Sequence, residues 1–473
     1  MSARRLRFRA ACGLVAVGLL ASPCGASDFD PLLAIPDVLE TGVALPGDSV
    51  PPTCPVELDS TQPLTLGVAV DVALCSNAQI RAAWASIKVQ AGTLGEARAA
   101  YLPTASISMG RTADEMRYPG TSVAPSTVQA STLNAGLNWR LLDSGTRGAN
   151  LSQAESLLAA ALASHDAAIQ KALGVVIQTY FDALTARALV AAKVEGEQLA
   201  AQTLASAQRR EAKGAVSRSD SLQAATAHAR AVLERGRAES SYRRAVALLA
   251  YAMGRSNDGT VALSEDNDNV VETELAPLVR WLDTARKSHP ALLTARAQLE
   301  AARSKADATS AEGLPTVDLS SNYYQNGRPG QALTPTRVHE STVGIVLTVP
   351  IFEGFARSYK VYGAQAQVEQ KAAELADMEG QILLEVIKTH ADASAAVSNL
   401  NASKDLLLAA QDALSVAQRK YDKGAADVLE ALNAQSALAD ARQERIRALS
   451  EWRSARLRLQ TSTGRLGRSG LER

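Results

Sequence analysis

Proline is missing from two long stretches of this chain, and that absence limits what it can fold into. No proline lies between Pro125 and Pro277, and none follows Pro350. Eight of the 17 prolines crowd instead between Pro23 and Pro63. A proline inside a helix removes a hydrogen bond and clashes with the preceding turn, so stretches without it have room for very long helices. The Pro-rich part before residue 65 reads as an extended tail.

The second stretch shows what its helices bury. Val386, Ala393, Leu400, Leu407, Leu414 and Tyr421 recur every seven residues, with Thr389, Ala396, Ser403, Ala410 and Ala417 in step three residues later. This heptad has large residues at one seam position and small ones at the other, which lets helices approach closely. Ala434, Ala441, Ala448 and Ala455 carry the small stripe onto a following helix, beside Leu438, Trp452 and Leu459. The break at Asp422 to Gly424 predicts an antiparallel hairpin with a glycine turn. A helix from Ala356 to Tyr421 would be on the order of 100 Å long.

The chain also repeats itself. AQRREAKGA at 207–215 returns as AQRKYDKGA at 417–425, and Leu102-Pro103-Thr104 returns as Leu314-Pro315-Thr316. The heptad echoes too, with Val176, Ala183, Val190 and Leu204 standing for Val386, Ala393, Leu400 and Leu414. Each half reads helix, strand, loop, strand, very long helix, turn, helix. Alternation marks the strands: Leu133, Ala135, Leu137, Trp139 and Leu141; Val343, Ile345, Leu347, Val349 and Ile351, with Val346 out of phase; Ala105, Ile107 and Met109; and, more weakly, Val317 and Leu319. Strands of about 9–11 residues suit a membrane barrel. The loops between them are expected at roughly 111–131 and 325–340.

Four strands cannot close a barrel, and hydrocarbon does not tolerate an unpaired sheet edge. A membrane reading therefore requires other copies of the chain. No later segment has 18 consecutive apolar residues, so spanning is expected through strands and not a helix. The formal net charge of +0 argues against a nucleic-acid binder, and only 4% of residues are aromatic, so Ala, Leu and Val carry the apolar content. Arg4, Arg5, Arg7 and Arg9, the apolar run Ala10 to Leu20 and the small residues to Ala26 read as a secretory signal; Pro23 makes lipidation at Cys24 a poor match. Cys54 and Cys75 then remain, either as a disulfide worth roughly 3 kcal/mol or as two free thiols, the bridge being preferred.

The duplicated Leu-Pro-Thr strand entry, the RLLDSG and PIFEGF strand-to-helix segments, and the paired KGAVSRSDSLQA and KGAADVLEALNA turns resemble the TolC family of outer-membrane efflux and secretion channels from about Leu66 to Leu466. The resemblance implies a homotrimer with a 12-strand barrel in outer-membrane lipid and a long α-helical tunnel through the periplasm. It implies docking to a periplasmic adaptor protein and an inner-membrane ABC transporter, without a cofactor or metal. The fold class is α+β and mostly helical. Six segments are expected: a signal at 1–26, a Pro-rich segment at 27–65, a first repeat at 66–254, an acidic equatorial linker at 255–278, a second repeat at 279–462 and a tail at 463–473. Within the family, the cysteine pair and long N-terminal tail resemble the branch that exports an adenylate cyclase–haemolysin toxin by type I secretion. Small-molecule efflux is the alternative. A trimeric coiled-coil adhesin is a further one, although it would not need two matched strand pairs.

By position, the resemblance places the periplasmic gate at Ser219, Asp220, Tyr421, Glu430 and Asn433, and the adaptor-facing turn glycines at Gly214 and Gly424. Relatives with two acidic residues one turn apart differ here, because the second is Asn433, and a basic residue often found after the glycine is replaced by Ala425 and Ala426. Glu430 has two readings of equal standing: a cation-favouring ring in a trimer, or a solvated helix face. Tyr421 occupies a seam position, which favours packing over gating. Arg209, Arg210, Lys213, Arg419, Lys420 and Lys423 lie beside the turns and read mostly as solvated. His165, His228, His289, His339 and His390 show no metal spacing, and no phosphate loop or nucleophile elbow is present, so no enzyme is expected.

Overall fold

The fold was analysed in a computed structural model. It describes residues 30–37, 39, 54, 63–117, 119–122, 124–255, 263–264, 275–326, 328 and 338–467. The expected signal at 1–26, much of the N-terminal segment and linker, and the end of the tail lie outside them.

The elements run α1 (Leu66–Ser76), α2 (Ala78–Ala99), β1 (Thr104–Met116), β2 (Ser126–Leu142), α3 (Thr146–Ala212), α4 (Arg218–Ala252), α5 (Leu278–Ser288), α6 (Pro290–Ala311), β3 (Thr316–Gln325), β4 (His339–Thr348), α7 (Ala356–Asp422) and α8 (Val428–Ser462). The second six repeat the order of the first. At 67 residues, α3 and α7 are each about 100 Å long.

The seam follows the heptad. Val386, Ala393, Leu400 and Tyr421 are buried, as are Thr389, Ala396, Ser403, Ala410 and Ala417; Leu407 and Leu414 are partly buried. Both hairpins turn in the same way. Gly214 and Gly424 have φ of 68° and 73°, and the following amides, Ala215 N–H and Ala425 N–H, donate back to the Arg210 and Lys420 carbonyls at 2.9 and 2.8 Å. This is a glycine cap that satisfies otherwise orphaned helix-end carbonyls. The returning helices start on side-chain caps: Ser217 and Asp220 form a capping box on α4, and Asp427 accepts the Glu430 N–H on α8 at 3.1 Å.

The four strands form one antiparallel sheet in the order β1-β2-β3-β4, so β2 and β3 join the two repeats. The register sorts side chains by chemistry. Ile107, Ala135, Leu137, Trp139, Leu319, Val343, Ile345 and Leu347 share one face; Ser106, Asn134, Asn138, Asp318, Asn322 and Thr342 share the other, with Val346 the apolar intruder. On the polar face Arg140 Nε donates to Asp318 at 2.8 Å. β1 and β2 outrun the expected length: they are 13 and 17 residues, pairing out to Met116 opposite Ser126, so the first loop is much shorter than 111–131. Backbone pairing continues where the apolar alternation stops, because a ladder in water needs no greasy face.

A belt of short elements crosses the middle of the helices. Val70, Ile80, Ile169, Ile177, Leu249, Met253 and Leu466 are buried in its core, and Leu64 pairs with Leu263 beside them. Cys54 and Cys75 are bonded, with Cα atoms 5.7 Å apart. One helix differs from the expectation drawn from uninterrupted apolar runs. α3 is long and apolar enough to cross a bilayer by length and composition alone. Its residues Ile169, Leu173, Val176, Ile177, Tyr180 and Phe181 are instead buried in the belt core.

Candidate functional site: the helical tips

Two hairpin turns lie side by side at the end of the helices farthest from the sheet. Their floor is a small cluster of Ala207, Ala224, Tyr421, Val428 and Ala431. Small residues let α3, α4, α7 and α8 converge there, and Tyr421, 1% exposed, fills the remaining space. Its burial agrees with the packing role read from its seam position and takes its side chain out of the gate set: within the protomer it is the packed centre of the tip.

Arg210 joins the two hairpins. Its guanidinium stacks 4.5 Å from the Tyr421 ring centre and donates to the Tyr421 carbonyl at 2.7 Å and the Asp422 carbonyl at 2.8 Å. Those carbonyls end α7, where intrahelical donors run out and the helix dipole is negative. Arg210 therefore caps a helix of the other repeat, and the reading of the basic cluster as mostly solvated fails for it. Sequence reasoning had no signal for this, because the two partners lie 211 and 212 positions away.

The remaining residues divide. Asp220 Oδ2 accepts the Ser217 N–H at 3.1 Å, so its carboxylate is committed to starting α4. Glu430 is neither bare nor simply solvated, since Lys420 Nζ reaches it at 2.9 Å across the second turn. Ser221 donates to Glu211 across the first. Ser219 and Asn433 come together on the walls of one groove of about 760 Å³ between α4 and α8, floored by α3. Leu222, Leu429 and Leu432 line the same groove; Leu222 and Leu429 are exposed, and these apolar members were missed by a search for charged groups.

Farther up, α3, α7 and α8 enclose a polar cavity of about 530 Å³. There Asp182 is pushed above its ordinary carboxyl value by burial, an effect partly opposed by the Gln178 amide at 2.8 Å and by Arg458. Among the described residues, no group of three His, Cys, Asp or Glu side chains is placed to hold a metal ion.

A twice-repeated helical hairpin on a shared sheet, apolar on one face and polar on the other, has a counterpart among known families. The family model "Outer membrane efflux protein" matches residues 69–255 and again 281–465. The chain belongs to the outer membrane efflux protein family. It is 34% identical over 440 residues to Protein CyaE of Bordetella pertussis, covering 93% of this chain and 92% of that one. It is 25% identical to the alkaline protease secretion protein AprF of Pseudomonas aeruginosa, across 42% of this chain and 41% of AprF. The fold matches the crystal structure of the outer membrane protein VceC of Vibrio cholerae with a TM-score of 0.73 at 21% identity, covering 84% of this chain and 96% of that one. The protein is thus a TolC-type efflux or secretion channel of the outer membrane, extending into the periplasm, and not an enzyme.

Proposed function

We propose that this channel is the outer-membrane duct of a type I secretion system, passing a protein toxin from an inner-membrane ABC transporter, through a periplasmic adaptor, to the outside. Three copies supply the wall. The observation that carries the trimer is the open sheet: among the described residues β1 and β4 each leave one edge unpaired, and one face is apolar along the half of the sheet nearest the helices. Such edges are not tolerated in lipid, and three four-stranded sheets joined edge to edge make a closed twelve-stranded barrel with its polar face inward. The helices agree with this arrangement. Ile387, Ala391, Ala402, Ala409, Ala413 and Val416 form an exposed stripe along α7, away from its buried seam, which a neighbouring copy would cover.

Support for protein cargo comes from the length of the likeness to CyaE and from the secretion protein AprF. At the tips, Ser219 and Asn433 line the inner groove, Glu430 places one carboxylate per copy near the opening, and Gly214 and Gly424 hold the turns that meet the adaptor. Single-channel recording in planar bilayers tests the duct, with discrete pores from purified trimer expected. Absence of any pore overturns it. A deletion strain tests the cargo: toxin export should be lost while drug sensitivity is unchanged. Lost drug resistance with normal protein export would mark small-molecule efflux instead.

A further inference from the structure

The side chains on the apolar face of the sheet turn polar along a slanted line. Val343, Ser321, Leu137 and Ala105 lie opposite one another in one row across β4, β3, β2 and β1. On β4 the apolar run stops at that row, and Ser341 and His339 follow on the same face. On β1 it continues through Ile107 to Met109, four residues beyond Ala105. Four residues are about 13 Å of strand and three strand spacings are about 14 Å, so the line is inclined to the rows by about 43°. Strands of membrane barrels tilt by about that angle, so the slanted line lies level in a bilayer. The depth agrees. On β2 the apolar run from Leu142, opposite Val317, to Leu133 covers about 30 Å of strand, or about 22 Å of height at this tilt. The apolar band of a membrane barrel is about 25 Å tall. Met109 and Leu133, paired across β1 and β2, therefore mark the hydrocarbon edge farthest from the helices. With the helices in the periplasm, that edge belongs to the outer leaflet.

Arg111 comes next on this face of β1, opposite Ser131 on β2. With Met109, Leu133 and Gln325 they border a shallow hollow of about 520 Å³. Its side toward the membrane centre is apolar, and Met109 is 77% exposed. Its other side carries a guanidinium, a hydroxyl and an amide, all able to donate. Arg117, Arg140 and Arg328 each hold a carboxylate, of Glu115, Asp318 and Glu340. Arg111 differs: among the described residues nothing bonds to its side chain, nor to those of Ser131 and Gln325. Joining copies edge to edge adds strands beside β1 and covers neither face, so the hollow stays open to the bilayer in a trimer.

We propose that this hollow binds the phosphate headgroup of an anionic lipid of the outer leaflet, one per copy. The proposal rests on the outer-membrane placement of the channel and on its three-copy barrel. Arg111 supplies the charge and a two-pronged donor fork that matches phosphate oxygens. Ser131 and Gln325 add donors beside it, and an acyl chain lies along Met109 and Leu133. The apolar side selects a lipid over a free phosphate ion, because an ion alone leaves both residues uncovered.

Native mass spectrometry of the full-length trimer, released from nanodiscs of equal phosphatidic acid and phosphatidylcholine, tests this. One phosphatidic acid per copy should be retained in preference to phosphatidylcholine. Arg111→Gln should cut that preference roughly tenfold, the worth of one charge-assisted contact. Arg117→Gln should leave it unchanged. Ser131→Val fills the hollow without touching the charge and should also release the lipid, which keeps the test open if Arg111→Gln fails to assemble. Equal retention of the two lipids, an undiminished preference in Arg111→Gln, or an equal loss in Arg117→Gln would overturn the site. Displacement of phosphatidic acid by an equal concentration of inorganic phosphate would also overturn it, leaving an ion site. Single-channel recording of the same samples separates the two readings. Pores without a lipid preference reject the headgroup site alone, whereas absence of pores rejects the duct itself.

Discussion

The two repeats agree in their helices and part company in their strands. Helices of 11, 22, 67 and 35 residues occur in the same order in each half. The strands are 13 and 17 residues in the first half and 10 and 10 in the second. Two hairpins that share one tunnel must reach the same height, since a helix longer by a turn would leave its seam unmatched. The strand ends beyond the lipid carry no such requirement, because paired backbone stands as well in water as in a membrane. The halves have diverged where the fold permits it, and have kept the joints alike. Each repeat ends in a glycine that closes on the cap between its first two helices: Gly254 on Asn77, Gly464 on His289.

The largest expected effect tests whether those joints are equivalent. At Gly254, φ is 77° and an added Cβ would lie 2.5 Å from the Ser76 carbonyl oxygen and 2.8 Å from the Asn77 nitrogen. At Gly464, φ is 72° and the Cβ would meet the Pro290 ring at 2.3 Å. Both substitutions pay for left-handed backbone and for overpacking, so each should cost several kcal/mol. Gly254→Ala should cost about 4 kcal/mol, because it strikes main chain that cannot turn away, and Gly464→Ala about 3 kcal/mol. Thermal unfolding followed by circular dichroism measures the pair. Equal tolerance of alanine at both positions would break the equivalence of the joints to the fold.

Much of this architecture was legible from spacing alone. The heptad from Val386 to Tyr421 located α7 and its seam, since a buried stripe on a helix must repeat near every third and fourth residue. Alternation located β4, whose apolar face needs a period of two. It misplaced the first loop, because Arg111, Thr112 and Asp114 keep their ladder without any apolar signal. Among the tip residues, the family resemblance named Ser219 and Asn433 together, and the groove has both on its walls, but the resemblance gave no access to the Arg210 contacts. Those depend on how two hairpins pack, and no local pattern encodes a partner some 210 residues away.

The tips sharpen the comparison. Arg210 and Lys420 occupy equivalent positions, yet Arg210 crosses to the other hairpin while Lys420 stays on its own. Arg210→Met removes two charge-assisted bonds to helix-end carbonyls and a ring contact, and should loosen the tip by about 2 kcal/mol. The expected result is faster hydrogen exchange in residues 415–425 and a higher single-channel conductance. Unchanged exchange at those amides would mean that the two hairpins are held together by the alanine seam alone.

The caps differ in chemistry as well as in sequence. Asn77 accepts the Gln79 N–H at 2.8 Å through an amide that does not titrate. His289 accepts the Ala291 N–H through Nδ1 at 3.2 Å, which requires a neutral ring. Burial lowers the His289 value below 6.5. With the folded value depressed, this contribution is complete above about 6.5 and is lost as pH falls toward the folded value. His289→Asn would make the second cap like the first. It should remove about 1 kcal/mol of stability loss between pH 7 and pH 5, measured by thermal unfolding at both values. An unaltered pH profile would place the acid sensitivity elsewhere.

The smallest effect belongs to Lys420 and Glu430, whose side chains are 51% and 46% exposed. An ion pair so open to water holds little energy, typically below about 1 kcal/mol, and salt screens it. Glu430→Gln should therefore change stability by no more than about 0.5 kcal/mol, and that difference should vanish near 1 M salt. Its charge matters differently from that of Arg210. With Glu430 near the shared opening, as proposed above, one carboxylate per copy would favour cations even when it stabilises nothing, so reversal potentials across a salt gradient should shift toward anions in the variant. A conductance increase as large as that of Arg210→Met, without a change in selectivity, would mean that Glu430 is a fastener after all. The division of labour between the hairpins, one carrying the link and the other the charge, would then be lost.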